Sequence, residues 1–304
     1  MTLTLPACAK VNLDLRVLGV RPDGYHDLRT VFQSVALADQ VTLAESRGPL
    51  VLTCDDPRVP TDRRNLAWKA ASLLWRLARL GRGAPRGVRI HLAKRIPAEA
   101  GLGGGSADAA VTLLGLNRIW KLGLDLPSLS RVAARIGADV PFFLVGGTAL
   151  GLGRGDELYP LADLPRVSVV ILRPGFGVPT ADAYRWFDED AGRPRVSRRA
   201  PAARPLPPGW PAWAATLGNA LEPAVVRHHP TIGRIRQSLV EAGAVTALMS
   251  GSGSAVFGLF ERADAARRTA RDLARPGWTA MATRTVSRQE YVRMIDVPRR
   301  RRPA

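Results

Sequence analysis

The chain has 304 residues, a length that suits about two domains, and with 46% hydrophobic and 23% charged residues its composition excludes a protein that is disordered throughout. It has no apolar run near the roughly 20 residues of a membrane span, no secretory signal pattern and only two cysteines, so we expect a cytoplasmic protein without a disulfide framework. Its 44 basic and 26 acidic residues give a net charge of +18, and residues 191–221 and 299–302 supply nine of these charges. Neither stretch places aromatic residues closely between its arginines, so we expect no nucleic-acid partner, and we expect no membrane partner either.

The N-terminal segment predicts a β-strand with one apolar and one polar face. The polar face presents Lys10 and Asn12 together. The apolar face comprises Ala9, Val11, Leu13, Leu15 and Val17. A turn is predicted at RPDGYH, because proline, aspartate and glycine at 22–24 are turn-forming residue types, and a second apolar stretch then runs from Val31 to Leu43.

The next predicted elements are a helix, a strand and a second helix. Asn65 precedes apolar residues at helical spacing that continue to Leu77 and stop before glycines at 81 and 83. Residues 88–92 alternate as a strand. The glycine-rich segment Gly101–Ser106 separates this strand from the second helix.

The second half of the chain mixes helices and strands. Ser128 is a predicted N-cap for a helix over 129–136, and a glycine-rich turn at 146–155 leads to a strand over 167–172. Residues 191–211, with six prolines and five arginines, are predicted to form a surface insertion. Because helices and strands do not alternate regularly, the predicted fold class is α+β. The remaining predicted elements are a helical region opened by Asn219, a strand at 245–248, a glycine-serine loop at 250–254, a strand at 256–260 and a helix at 263–273.

The segment GLGGGSADAA, residues 101–110, has the chemistry of a phosphate-binding loop. It lacks the lysine of a Walker loop, and Ser106 stands where a dinucleotide-binding pattern needs glycine. Four glycines in five positions nevertheless allow backbone N–H groups to point inward at a helix N-terminus, where a phosphate is favoured. A tight strand-to-helix turn needs fewer glycines, so the sequence favours phosphate binding over a purely structural turn.

Other polar residues have structural interpretations when each is taken alone. Asp139 is a candidate N-cap for the helix that follows it, Lys10 a solvated strand lysine and His26 a turn histidine. The sequence of the loop 250–254 is as compatible with a plain hairpin as with a functional loop. The pair His228–His229 has no partner at metal-ligand spacing, so no zinc site is predicted.

Three widely spaced blocks resemble the GHMP kinase superfamily: PACAKVNLDL, PAEAGLGGGSADAA and LMSGSGSAVFGLF. Within it, the blocks RPDGYH and GADVPFF resemble the 4-diphosphocytidyl-2-C-methyl-D-erythritol kinase family, which belongs to the non-mevalonate isoprenoid pathway. The resemblance runs from Pro6 to Phe260 in the right order. It implies ATP-dependent phosphorylation of the substrate's 2-hydroxyl, which gives the 2-phosphate and ADP.

The resemblance also implies roles for the residues that match the family's motifs. Lys10 and Asp139 match the catalytic pair. The ATP-binding residues would be Asn65, Lys94, Pro97, Ala98, Glu99, Ala100, Gly101, Leu102, Gly103, Gly104, Gly105, Ser106 and Ala107. The substrate would be held by Asn12 beside the acceptor and, at the cytidine end, by Tyr25, His26, Thr180 and Tyr184. Mg²⁺ would accompany ATP, with the hydroxyl of Ser106 as its candidate protein ligand.

The implied architecture is the two-domain GHMP kinase fold with the active site in the cleft between the domains. An N-terminal ATP-binding domain would span 1–160. A C-terminal α/β sandwich would span 161–304 and carry the insertion at 191–211 and the basic tail at 299–304. The sequence departs from the family pattern at Glu99, where a small residue is more usual, and at Ala107, which replaces a frequent serine.

Two other functions compete with this interpretation. Another small-molecule kinase of the superfamily, such as a homoserine or mevalonate kinase, is compatible with the glycine-rich loop, but the RPDGYH and GADVPFF blocks argue against it. A basic nucleic-acid-binding protein would use the arginine-rich stretch and tail, whose composition does not favour base stacking. The expected partners are therefore two small molecules, ATP and a cytidine-diphosphate-linked methylerythritol.

Overall fold

The structure is a computed structural model that describes residues 1–191 and 210–296, so the predicted basic tail and nearly all of the predicted insertion lie outside it. The described residues form nine α-helices, ten strands and a 3₁₀ helix at Ala212–Thr216. The helices are α1 (Leu66–Leu77), α2 (Gly104–Ile119), α3 (Leu126–Ala134), α4 (Phe142–Val145), α5 (Thr180–Ala191), α6 (Glu222–His228), α7 (Pro230–Glu241), α8 (Ala263–Leu273) and α9 (Arg288–Ile295). The strands are β1 (Thr2–Val20), β2 (His26–Pro49), β3 (Val51–Cys54), β4 (Arg86–Ala93), β5 (Thr148–Gly153), β6 (Glu157–Pro160), β7 (Ser168–Pro174), β8 (Thr246–Met249), β9 (Val256–Phe260) and β10 (Trp278–Arg284).

Six strands form the first sheet around the long strand β2. The order is β3-β4-β2-β5-β6, with β1 also paired to β2, and only the β3–β4 pair is parallel among the described strands. In β1 the predicted alternation is confirmed for Val11 and Leu13, which are buried. Lys10 and Asn12 on the other face are only 3% and 2% exposed, so the interpretation of Lys10 as a solvated lysine is wrong. Both faces of this part of β1 are interior.

Helix α2 packs against β1 and β2 of the first sheet, and α1 packs on α2, so that together they form the first hydrophobic core. The helix predicted after Asn65 is confirmed, because the Asn65 side chain caps α1 by accepting a hydrogen bond from the backbone N–H of Ala67 at 2.8 Å. The strand predicted at 88–92 is β4. Helix α2 is lined with small residues, and a Cβ on Gly115 would lie 2.6 Å from Leu43, so this glycine permits the close approach of α2 to β2.

The second sheet is antiparallel, in the order β10-β7-β9-β8. Helices α7 and α8 pack on it, and the strand at 256–260 and the helix at 263–273 are confirmed as β9 and α8. Helix α9 returns to the first core, where Tyr291 is fully buried. The boundary predicted at 160/161 stays a prediction and falls between the end of β6 and the start of β7.

Two local predictions are wrong. Helix α3 begins at Leu126, and its N-cap is Asp125, whose carboxylate accepts the N–H of Ser128 at 2.9 Å, because aspartate satisfies the first-turn amides earlier than Ser128 could. The glycine-rich turn predicted at 146–155 contains β5, which pairs with β2. By contrast, the helical region predicted to open at Asn219 is confirmed: its side-chain oxygen accepts the N–H of Leu221 at 2.9 Å, and α6 starts at Glu222. The Asn219 side-chain NH₂ donates to the backbone oxygens of residues 249 and 251.

Candidate active site

A cleft of about 1940 Å³ brings the predicted site residues together. It is bordered by β1, the glycine-rich loop (residues 97–106), α5 and the loop at 250–254. Every residue predicted for catalysis, ATP or substrate lines it except Ala107, which is fully buried in the first turn of α2. The roles of the lining residues stay predictions.

Lys10 and Asp139 form an ion pair in this cleft. Lys10 Nζ lies 3.4 Å from Asp139 Oδ2, although the two residues are far apart in the sequence. The lysine side chain is only 4% exposed, whereas that of Asp139 is 35% exposed. Lys10 Nζ also donates to Asn12 Oδ1 at 2.6 Å, and the Asn12 amide donates to the Thr30 hydroxyl at 2.8 Å. The lysine is therefore fixed from behind, and the carboxylate is the accessible member of the pair.

The N-cap interpretation of Asp139 is wrong. Helix α4 begins at Phe142 with Pro141 in the cap position, and no side chain caps it. Only the main-chain oxygen of Asp139 contributes to this turn, by accepting the N–H of Phe142 at 3.2 Å. Its carboxylate is therefore not used for capping.

Two positions of the glycine-rich loop have a backbone that favours glycine. Gly101 and Gly103 both have φ of +73°, and a Cβ at Gly101 would lie 1.9 Å from the backbone oxygen of Ser250. A Cβ at Gly103 would lie 2.6 Å from the Phe143 ring and 3.2 Å from Cγ of Lys10. The lysine stem thus passes directly against the loop, so that the ion pair and the loop form one surface.

The N-terminus of α2 is suited to an anion. The helix begins at Gly104, within the segment predicted as loop, and no side chain caps it. The amides of its first turn and the positive end of the helix dipole therefore face the cleft without a capping side chain, which favours a phosphate group there. The exposed residue Glu99 lines the cleft, and its main-chain oxygen accepts the N–H of Val178.

The loop at 250–254 is more than a hairpin between β8 and β9. The Ser250 hydroxyl donates to the Gly101 main-chain oxygen at 2.9 Å, and the Ala255 N–H donates to the Ala100 oxygen at 3.1 Å. A Cβ at Gly251 would lie 3.2 Å from Lys10 Nζ. This second loop therefore supports the glycine-rich loop and packs beside the ion pair.

Two residues predicted for ATP already use their side chains within the protein. The Asn65 amide caps α1 and donates to the Pro60 oxygen at 2.7 Å. The Lys94 ammonium binds the carboxylates of Asp39 and Asp108. Both residues line the cleft. No local pattern predicts these internal partners, because Asp39 lies in a strand of mixed polar and apolar residues and Asp108 lies in a run of small residues.

The other end of the cleft is aromatic. His26 stacks on Tyr184 with ring centroids 4.6 Å apart, and its Nε2 lies 2.8 Å from Asp188 Oδ1. Burial raises the pKa of the Tyr184 hydroxyl, and the charge of Asp139 adds to this increase. Tyr25 is 60% exposed, with the Arg154 guanidinium over its ring. The turn interpretation of His26 is therefore incomplete, since its ring belongs to the cleft, and the sequence reasoning missed Asp188 and Arg154.

The Thr180 hydroxyl lies beside the second glycine-containing loop. Thr180 is the first residue of α5, and its Oγ1 is 3.0 Å from the Ser252 hydroxyl. The loop at 250–254 thus reaches the aromatic end of the cleft as well as the ion pair. The sequence reasoning did not assign Ser252 to the site, although its position in a glycine-serine loop was the available signal.

Known proteins match both halves of the chain. The model of the GHMP kinases N terminal domain matches residues 65–147, and the model of the GHMP kinases C terminal domain matches residues 210–277. The 4-diphosphocytidyl-2-C-methyl-D-erythritol kinase of Moorella thermoacetica is 46% identical over 289 residues, which are 93% of this chain and 99% of that protein. The enzyme of the same name from Synechococcus sp. (strain JA-3-3Ab) is 46% identical over 87% of this chain and 88% of its own length.

Solved structures give the same result for the fold. A crystal structure of 4-(cytidine 5'-diphospho)-2C-methyl-D-erythritol kinase is 40% identical, with a TM-score of 0.76, and the alignment covers 93% of this chain and 99% of that one. The homoserine kinase from Cytophaga hutchinsonii, at 20% identity and a TM-score of 0.65 over 94% of this chain and 95% of that one, shares the fold. The predicted α+β two-domain fold class is confirmed.

Proposed function

This chain belongs to the 4-diphosphocytidyl-2-C-methyl-D-erythritol kinase family of GHMP kinases, and from that membership we propose that Lys10 and Asp139 carry out the phosphorylation it catalyses. The reaction transfers the γ-phosphoryl group of ATP to the 2-hydroxyl of 4-diphosphocytidyl-2-C-methyl-D-erythritol and releases ADP. The observation that carries the proposed assignment is the position of the ion pair beside the uncapped N-terminus of α2. A hydroxyl placed at Asp139 would face a phosphate held by the helix.

In this proposal Asp139 orients the acceptor hydroxyl and takes its proton. A base must reach the hydroxyl, and Asp139 is the exposed member of the pair. The ammonium of Lys10 pairs with this carboxylate and adds positive charge where the transferred phosphoryl group passes. Because phosphoryl transfer depends mainly on positioning and charge stabilisation, a lysine fixed by Asn12 suits this role.

The glycine-rich loop is proposed to hold the phosphates of ATP. Its two positive-φ glycines bring backbone atoms close to the cleft, and the first-turn amides of α2 would donate to phosphate oxygens. ATP would supply the phosphoryl group, and the Mg²⁺ bound with it would neutralise part of the phosphate charge. The Ser106 hydroxyl lines the cleft and is the proposed protein ligand of this ion.

The donor set fits an ion held mostly by nucleotide oxygens and water. Within residues 1–191 and 210–296 no group of three or more His, Cys, Asp or Glu side chains could hold a metal, and Mg²⁺ commonly keeps several water ligands beside substrate phosphates.

No helix in the described part of the chain is long and apolar enough to cross a membrane.

The cytidine end of the substrate is assigned to the aromatic end of the cleft. Tyr184 offers a ring on which a base could stack, while His26 and Thr180 offer polar atoms for its edge or ribose. The ring of His26 covers one face of Tyr184, and the Arg154 guanidinium lies over one face of Tyr25. The base would therefore stack on the opposite face of either ring. In this arrangement the cytidine holds the substrate and brings the reacting alcohol to Asp139.

The test is an ADP-release assay with Mg-ATP and a panel of alcohols. We expect turnover with 4-diphosphocytidyl-2-C-methyl-D-erythritol that exceeds turnover with homoserine, mevalonate and free methylerythritol by at least a hundredfold. Phosphate on the 2-hydroxyl is checked by phosphorus NMR of the product. Comparable turnover with mevalonate or homoserine would contradict the assignment of the cytidine end.

A further inference from the structure

Three charged side chains meet in the interior directly beside the glycine-rich loop. Lys94, which directly follows β4, binds Asp39 of β2 and Asp108 of α2, and its Nζ donates to Asp108 Oδ2 at 2.6 Å. Asp39 is fully buried, Asp108 is 2% exposed and the Lys94 side chain is 9% exposed. We call these three residues the buried triad. The proposed reaction assigns no role to either aspartate.

Asp39 also fixes the backbone where the chain enters the loop. Its Oδ1 accepts the N–H of Arg95 at 2.5 Å and that of Ile96 at 2.8 Å. Its Oδ2 lies 3.4 Å from the position of a Cβ at Gly104, the first residue of α2. The same carboxylate therefore binds the chain just before the loop and lies beside Gly104, where α2 begins.

Asp108 completes the connection on the other side of the loop. It lies one turn after Gly104 in α2, and its bond to Lys94 ties the start of that helix to the end of β4. Both ends of the phosphate-binding segment are thus held by one ammonium group and two carboxylates. The separation of these ends sets where the amides of the α2 first turn point.

The charges explain why this arrangement is rigid. Burial opposes the charge of Lys94, but attraction to Asp108 and Asp39 outweighs it and raises the pKa of the lysine. Burial raises the pKa of Asp108 to about 7, despite the attraction of Lys94. Asp108 Oδ1 is buried without a hydrogen-bond partner. Removing Lys94 would leave two buried carboxylates without a counter-charge, so the lysine and its two partners strongly restrict one another's geometry.

We propose that Asp39, Lys94 and Asp108 are positioning residues for ATP, and that Lys94 serves as their internal counter-ion and not as a ligand of the nucleotide. The inference rests on the proposed phosphate site at the N-terminus of α2. It differs from the role that the family resemblance implies for Lys94. It predicts that an aspartate with no exposed surface controls nucleotide affinity.

The decisive variant is Asp39→Asn, because it removes nothing from the cleft surface. If the asparagine oxygen continues to accept the N–H groups of Arg95 and Ile96, its NH₂ group points toward the Lys94 ammonium. If the amide is flipped, both N–H groups lose their acceptor. Either arrangement shifts the entry to the loop. The matched control is Thr112→Val, which alters a buried hydroxyl one turn further along α2 that has no hydrogen-bond partner.

The measurement is the Kd of ADP with Mg²⁺ by isothermal titration calorimetry, beside the Tm and the KM of the alcohol substrate. We expect Asp39→Asn and Lys94→Met to weaken ADP at least tenfold with the alcohol KM within threefold, and Thr112→Val to leave both constants unchanged. If Asp39→Asn does not fold, Asp108→Asn, which keeps its shape and one acceptor for Lys94, should weaken ADP at least threefold.

Two results would overturn the proposal. A lower Tm with unchanged ADP affinity in Asp39→Asn and Asp108→Asn would make the triad purely structural. Weaker ADP binding in Lys94→Met alone would make Lys94 a direct nucleotide ligand. Failure of the proposed function is recognised separately, because the wild-type chain would then bind ADP but not turn over the cytidine-linked alcohol.

Discussion

The hydroxyl of Tyr291 donates a hydrogen bond to the main-chain oxygen of Phe143 at 2.7 Å, deep in the first core. Tyr291 lies in α9, whereas Phe143 lies in the single turn that follows Asp139. A Cβ at Gly146 would lie 2.1 Å from the Tyr291 ring, so the glycine makes room for this contact. The segment that carries the accessible carboxylate is therefore supported by a helix near the other end of the chain.

Tyr291→Phe should lower the free energy of unfolding by about 1–3 kcal/mol, the usual effect of leaving a buried acceptor without its donor. Chemical denaturation measures this change. The matched control is Tyr159→Phe, whose side chain is 52% exposed, and its stability should remain within about 0.5 kcal/mol of wild type. Equal stability of the two variants would mean that the Tyr291 hydroxyl has no net effect.

Asp139→Asn should lower kcat by about 10²–10⁴, the range for loss of a positioned acid–base group. Asparagine is nearly isosteric, so the Tm and the ADP affinity should stay close to wild type. Lys10→Ala should show a similar loss, and the double variant should lose less than the product of the two, because the residues act as a unit. Turnover of Asp139→Asn within threefold of wild type would remove Asp139 from the mechanism.

Gly103→Ala should destabilise the protein and weaken ATP binding. The residue has φ of +73°, and its Cβ would approach the Phe143 ring and the Lys10 stem, so the loop has to move. Gly105→Ala is the control for stability, because a Cβ there meets only Leu66 at 3.7 Å in the first turn of α2. Thermal melting should rank Gly103→Ala below wild type and Gly105→Ala at or above it. The reverse order would contradict the loop geometry.

The stability of Asp108→Asn relative to wild type should increase with pH. The folded-state pKa of Asp108 is about 7, above its ordinary value, so the folded protein binds this proton more tightly than the unfolded chain does. Wild-type stability from this group is therefore present below about pH 4 and is lost as pH rises to about 7. Melting curves at pH 5 and pH 8 should show the difference in Tm, variant minus wild type, becoming more positive at pH 8. A constant difference would mean that Asp108 stays ionised throughout.

Tyr184→Ala should weaken CDP binding about tenfold or more while ADP affinity is preserved, since base stacking contributes about 1–3 kcal/mol and each decade corresponds to about 1.4 kcal/mol. Tyr25→Ala should show the same pattern. In competition assays with the wild-type enzyme, CMP should compete with substrate much better than UMP. Equal inhibition by CMP and UMP would mean that the pocket does not read the cytosine edge.

Local signals explain which parts of the structure the sequence predicts. Asn65 as an N-cap and the alternation at 88–92 depend on neighbouring residues, and both are confirmed. Strand β5 is not predicted because glycines occupy two of its six positions and two more directly precede it. Its pairing with β2 compensates for their low strand propensity.

Long-range contacts explain what the sequence could not predict. No periodicity relates Lys10 to Asp139, and only the family resemblance paired them. Asp39 has the sequence appearance of a solvated strand residue, but α2 covers it and Lys94 neutralises it. The stacking of His26 on Tyr184 likewise depends on where the fold places α5 relative to the start of β2. No local sequence pattern encodes this placement.

The return of α9 to the first core has a consequence for the order of folding. During synthesis the strands and helices of the first sheet leave the ribosome long before Tyr291 is made, so they must wait with Gly146 and the turn after Asp139 uncovered. The first sheet and the helices that form the first core with it can therefore collapse early, but they reach their final packing only after the second sheet has been synthesised. A nascent chain released before residue 288 would hold its ion-pairing lysine and glycine-rich loop, yet it would lack the side chain that closes the interior beneath them.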